Sequence, residues 1–103
     1  MWERTTFDPE QSVRENPSAP LCFELKKWRL AAVWLREEMY IFRDRCPHMG
    51  ASFEGGRIED QKLVCPKHRY RFDPRDQDPN IAPGCLSLLE WRRSGAYIEI
   101  DLK

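Results

Sequence analysis

The sequence predicts a small all-β domain, an antiparallel barrel or sandwich. Three observations carry this: the apolar runs are short, turn residues interrupt them at close spacing, and apolar residues alternate with charged ones as on half-buried strands. At 103 residues the chain is one domain, large enough for a core but near the small end.

Residues 1–20 are polar, carry Pro9, Pro17 and Pro20, and lack clean periodicity. They read as an irregular N-terminal extension with Trp2 and Phe7 as anchors. Strands begin at Leu21. Cys22 to Leu25 is short, Trp28 to Leu35 is rich in apolar residues, and Arg36-Glu37-Glu38 turns the chain into Met39 to Phe42. Gly55-Gly56 is a break. Arg57 to Glu59 and Lys62 to Val64 form a second hairpin around Asp60-Gln61, and Tyr70 and Phe72 alternate with Arg69 and Arg71 as on a strand. A polar loop, Arg75 to Asn80, leads to Ile81-Ala82-Pro83-Gly84. Leu86 to Trp91 and Ala96 to Leu102 close the chain, joined by Arg92-Arg93-Ser94-Gly95.

Composition excludes several function classes. Charges balance at 17 basic and 17 acidic residues with no long basic block, which gives no ground for nucleic-acid binding. No apolar run approaches a membrane span, and Met1-Trp2-Glu3-Arg4 does not open a signal peptide. A soluble, cytoplasmic protein is expected.

The chemistry lies in two hooks, Cys46-Pro47-His48 and Cys65-Pro66-Lys67-His68, separated by the sixteen residues Met49 to Val64. Both histidines of the chain sit in them. Two thiols and two imidazoles suit a [2Fe–2S] centre in which imidazoles replace thiolates on one iron. They also suit a structural zinc site, although paired zinc ligands usually stand two to four residues apart and the first hook leaves one. A disulfide with two incidental histidines is a third option, and nothing marks the chain as secreted. Cys22 and Cys85 remain as packed free thiols, Cys85 in a region expected to approach the metal.

Cys46-Pro47-His48-Met49-Gly50-Ala51-Ser52-Phe53 and Leu63-Val64-Cys65-Pro66-Lys67-His68-Arg69-Tyr70-Arg71-Phe72-Asp73 resemble the two cluster loops of the Rieske ferredoxin family. The resemblance is strong over 46–73 and weaker over roughly 21–102. It implies a barrel-like base with a cluster-binding tip formed by two loops: a Rieske domain over 21–103 with a cluster subdomain at about 45–73. It implies one [2Fe–2S] cluster per chain, with Cys46 and Cys65 on the inner iron and His48 and His68 on the outer, electron-exchanging iron. Two ferric ions, two sulfides and two thiolates sum to a neutral oxidised core, so neutral imidazoles raise the potential into a range of roughly −150 to +300 mV.

Other positions refine the expectation. Gly50 is expected to aim its N–H at a cluster sulfur, and Ile81-Ala82-Pro83 resembles the family's third, covering loop. Ala51 and Lys67 stand where respiratory-type members pair cysteines, and Tyr70 and Phe72 stand where those members place sulfur-bonding hydroxyls. The resemblance therefore points to the low-potential, oxygenase-type ferredoxins. Arg69 departs from the family's usual glycine and joins Arg45, Lys67 and Arg71 in a basic collar. With few large apolar residues between the hooks, the tip is expected to owe much of its order to the metal.

The expected function is that of a monomeric one-electron carrier with no catalytic residues, passing electrons from a flavoprotein reductase to a terminal oxygenase or other redox enzyme. A small cluster-carrying subunit of a multisubunit oxidoreductase, of the nitrite-reductase kind, is the alternative, followed by a zinc-stabilised interaction module. A mononuclear iron site would need further histidines, and none is left over.

Overall fold

The structure, a computed structural model, describes residues 1–78, 80 and 84–103. Three antiparallel sheets make it up, with one short helix. The central sheet has the order β2 (Leu21–Leu25), β3 (Trp28–Leu35), β4 (Glu38–Arg43) and β8 (Leu88–Leu89). An outer sheet has the order β1 (Trp2–Arg4), β10 (Tyr97–Asp101) and β9 (Trp91–Ser94). The tip sheet is β5 (Arg57–Glu59), β6 (Lys62–Val64) and β7 (Arg71–Phe72).

The continuous apolar run of β3 has a physical cause: both faces of this strand are covered. Successive side chains point to opposite faces. Leu30 and Ala32 join Met39, Ile41, Ile98 and Ile100 in a base core, while Ala31, Val33 and Leu35 join Phe42, Phe53, Leu63 and Phe72 in a tip core. Three two-residue turns fix the register: Lys26-Lys27, Arg36-Glu37 and Asp60-Gln61. All six residues have φ between 51° and 69°. Such turns match the right-handed twist of the strands they join, and here no glycine or asparagine supplies them.

Residues 1–20 correct the expected irregular extension. Strand β1 pairs with β10, from Trp2 opposite Asp101 to Arg4 opposite Glu99. Helix α1 (Pro9–Glu15) is capped by Asp8, whose Oδ1 accepts from the backbone N–H of Glu10 at 3.1 Å and of Gln11 at 3.4 Å. Val13 is buried in the base core. Asp-Pro-Glu is a helix-start signal, but a seven-residue helix is too short to show a period.

Two further expectations are corrected. Leu86 to Trp91 is not one strand: Leu88 and Leu89 pair with β4, and the chain then crosses to the outer sheet, where Trp91–Ser94 pairs with β10. Arginines 92 and 93 therefore lie in an edge strand, where charged side chains are tolerated and Arg92 meets Glu99 directly opposite at 2.7 Å. The strand expected from Arg69 begins at Arg71, because Arg69 lies in a turn at φ 62°.

Candidate metal centre

Both hooks are built on the same backbone turn. In the first, Gly50 N–H donates to the Cys46 carbonyl at 2.7 Å and Cys46 N–H donates to Ala51 O at 2.8 Å. In the second, Arg69 N–H donates to Cys65 O at 2.9 Å and Cys65 N–H to Tyr70 O at 2.9 Å. The residue four beyond each cysteine is left-handed, Gly50 at φ 77° and Arg69 at φ 62°. Glycine adopts that conformation freely, and an L side chain adds strain. This explains structurally why Arg69 stands at a position suited to glycine. It also corrects the role expected of the Gly50 N–H, which is committed to the Cys46 carbonyl.

The turns sort the four donors by depth. Cys46 and Cys65 are 2% and 0% exposed at the top of the tip core. Burial pushes the Cys46 thiol up. The N–H groups of His48 and Met49, aimed at its sulfur, oppose the rise, and Cys65 beside it adds to it. A cationic centre bound there would reverse that balance and favour the thiolate. The imidazoles lie further out: the rings of His48 and His68 meet edge-on with centroids 4.7 Å apart, and His68 is exposed. His48 Nδ1 is buried without a hydrogen-bond partner. Such an orphan costs about 1–3 kcal/mol unless a ligand takes it.

This donor set fits a two-iron cluster. Thiols stand with thiols and imidazoles with imidazoles. All four cysteines are free. Cys22 lies apart from the hooks beside Asp44, where burial and then that carboxylate's charge push its thiol up to about 12. Cys85 is half-buried. Its neighbour Gly84 abuts the first hook, since a Cβ there would lie 3.1 Å from Pro47 Cβ. Ile81-Ala82-Pro83 lies outside the described residues.

The tip has a core of its own, contrary to expectation. Phe53, fully buried, packs edge-on against Phe42 at 5.6 Å and Phe72 at 5.9 Å. The span between the hooks supplies only part of it, and β3, β4, β7 and Leu86 supply most of the rest. Asp44, which sequence reasoning missed, braces the first loop: it accepts from Ser52 Oγ at 2.6 Å and from Phe53 N–H at 2.7 Å. Its signal was a carboxylate set between two arginines at the mouth of the hook. Gly56 permits the close approach of the tip hairpin, because a Cβ there would stand 2.6 Å from Val64 O. The expected collar is divided. Arg71 is paired to Glu59 at 3.1 Å, whereas Arg45, Lys67 and Arg69 have no carboxylate within 4.0 Å among the described residues. Tyr70 packs on His48 at 4.3 Å between ring centroids.

Known proteins resemble this chain in sequence and in fold. The Rieske [2Fe-2S] domain family matches residues 5–90. The methylxanthine N1-demethylase NdmA of Pseudomonas putida is 32% identical over 74 residues, which cover 70% of this chain and 21% of that protein. This chain thus spans about a fifth of the length of that curated relative. Among solved structures, the ferredoxin of carbazole 1,9a-dioxygenase from Nocardioides aromaticivorans is 20% identical. That match covers 97% of this chain and 98% of the ferredoxin, with a TM-score of 0.73. A caffeine-bound NdmA mutant is 22% identical over all of this chain and 34% of its own, with a TM-score of 0.74. No helix among the described residues is long and apolar enough to cross a membrane. With the family matched over most of its length and a donor set that suits the cofactor, the chain belongs to the Rieske [2Fe-2S] domain family, whose cofactor is a two-iron, two-sulfide cluster.

Proposed function

We propose that this chain is a one-electron carrier in which Cys46 and Cys65 hold one iron of a single Rieske cluster and His48 and His68 hold the other. The observation that carries this reading is the sorting of the donors: a buried thiol pair, and an imidazole pair nearer solvent with His48 Nδ1 orphaned. When bound, the cluster stores one electron. The chain does the rest. Phe53, Phe72 and Leu86 keep water from the cysteine side, and exposed His68 offers a partner a short path. Met49 and Tyr70, 68% and 40% exposed, give that edge an apolar contact surface. Phe72 brings no hydroxyl to the cluster sulfurs, which favours the lower part of the Rieske range.

A flavoprotein reductase is the donor and a terminal oxygenase the acceptor in this reading. Its support is a fold shared end to end with the ferredoxin of a dioxygenase. We read the chain as an electron-transfer component rather than a catalyst, since both histidines serve the hooks. Four free thiols suit the reducing cytoplasm, and a monomer suits a carrier that shuttles. The similarity to part of NdmA favours one second reading, a cluster-bearing unit that works inside a larger oxidoreductase. Stable co-purification with a large partner would select it.

The purified protein should carry two irons and two sulfides, absorb in the visible, and give an electron paramagnetic resonance signal on reduction. His48→Ala and His68→Ala should each abolish that signal. Native spectra and iron content in both variants, or zinc in place of iron, would refute the assignment.

A further inference from the structure

Beside the first loop lies a cavity of about 440 Å³ walled by Lys27, Trp28, Arg29, Arg43 and Arg45, with Gly50 and Ser52 of the loop as its other side. Four cations meet a single carboxylate there, and that carboxylate is already engaged. Asp44 is 1% exposed, with its oxygens on Ser52 and Phe53, and Arg29 reaches it only at 3.8 Å. Among the described residues no carboxylate lies within 4.0 Å of Lys27, Arg43 or Arg45.

Two of the four cationic side chains rest on neighbours. Arg43 lies over the Trp28 ring at 4.8 Å. Arg45 lies over Gly50, its Nε 3.4 Å from where a Cβ would stand. Lys27 sits in a tight turn at φ 69°. Like charges repel, so a chain of zero net charge that gathers four cations at the rim of its metal loop has a positive field aimed outward there. The surface across Arg29 is acidic, with Glu24 and Glu54. A partner would therefore be steered to one side of Arg29 and turned one way.

We infer that this cavity receives carboxylate side chains of the protein that exchanges electrons at the His48–His68 edge, so that this partner presents an acidic surface. The inference rests on the electron-carrier reading above. It places a charged rim beside the apolar patch of Met49 and Tyr70, the arrangement of a protein interface, in which the rim sets orientation and on-rate.

Small redox probes of opposite charge test it on the cluster-loaded protein. The reduced chain gives one electron to ferricyanide, which leaves as ferrocyanide, or to hexaamminecobalt(III), which leaves as cobalt(II); stopped-flow absorbance follows both. At low ionic strength Lys27→Glu/Arg43→Glu should lower the ferricyanide-to-cobalt rate ratio at least about tenfold. Arg4→Glu/Lys103→Glu, an equal charge change on the base, should move it by no more than about twofold. Lys27→Gln/Arg43→Gln should fall between, and high salt should erase the differences. A fluorescent hexaglutamate peptide, followed by anisotropy, should bind the parent chain and not the Lys27/Arg43 variants, and should slow ferricyanide oxidation of the parent. Equal loss in Lys27→Glu/Arg43→Glu and Arg4→Glu/Lys103→Glu, or no hexaglutamate binding, overturns the inference while leaving an intact cluster signal and the carrier reading untouched. A parent chain that takes up no cluster overturns both.

Discussion

The base and the tip occupy opposite faces of β3, yet they are secured differently. The base core gathers residues from both ends of the chain, Val13 and Ile98, Ile100 and Leu102, onto Leu30 and Ala32. It is closed by β1 pairing with β10, and among the described residues it holds no buried side-chain polar atom without a partner. The tip core, around Phe53, draws on a narrower stretch of sequence and ends in two buried thiols and an orphaned ring nitrogen. Below the cysteines it is a packed aromatic cluster. Above them it is two turns, each with a left-handed residue, and the unpartnered Nδ1 of His48. If Cys46 and Cys65 hold iron as proposed, the boundary of metal dependence runs through the tip, at those two residues, rather than between tip and base.

Phe53→Ala should break the comparison most severely. It removes the ring between Phe42 and Phe72 and costs about 3–5 kcal/mol. Hydrogen exchange should show β5, β6 and β7 losing protection while β2, β3, β9 and β10 keep theirs. Simultaneous loss in both regions would make the two cores one cooperative unit.

Arg69→Gly sharpens it more gently. Relief of the left-handed strain should stabilise the second hook by about 1 kcal/mol, less the extra freedom glycine gives the unfolded chain. Gly50→Ala should do the reverse in the matching turn. Protection of the amides at residues 65–70 is the measure, and a loss there in Arg69→Gly would mean that the guanidinium makes a contact worth more than the strain.

The smallest effect lies in the base and depends on pH. Burial raises the Asp8 carboxyl, but Arg93 at 3.0 Å and the N–H groups of Gln11 and Glu10 outweigh it and hold it below the usual 3.8. A carboxyl lowered by folding contributes stability that is full above 3.8 and lost as pH falls through its lowered folded value. Asp8→Ala should therefore cost about 1 kcal/mol near neutrality, and the gap should shrink in acid. Thermal melts from neutral pH down to about 2.5 check this, and a gap that stays constant would remove Asp8 from the account.

Much of this was legible in the sequence because it is local. The strands β3, β5 and β6, their turns and the two hooks all show within a few residues. The base-and-tip plan of the Rieske fold followed from the hooks' resemblance. What stayed hidden depends on distant partners. β1 is a strand only because β10 lies beside it, and α1 is too short to display a period. The crossover at Glu90 follows from which sheet has a free edge. Asp44 escaped notice because a buried carboxylate looks like any other acidic residue until Ser52 and Phe53 close on it. The tip core was underrated because six of its apolar members, Ala31, Val33, Leu35, Phe42, Phe72 and Leu86, come from outside the span between the hooks.

The two-residue turns have a consequence for the order of events as the chain folds. Four strand pairings, β2 with β3, β3 with β4, β5 with β6 and β9 with β10, are closed by two-residue turns. Hairpins of this kind form in about 1–10 μs. Pairing of β1 with β10 must instead bring Trp2 to Asp101 across nearly the whole chain, and Thr5 must find Ile98. Long-range closure of that sort is the slow search in small β proteins. Tip and central hairpins can thus take shape while the ends are still apart, giving iron a partly assembled pocket to enter before the last strand docks.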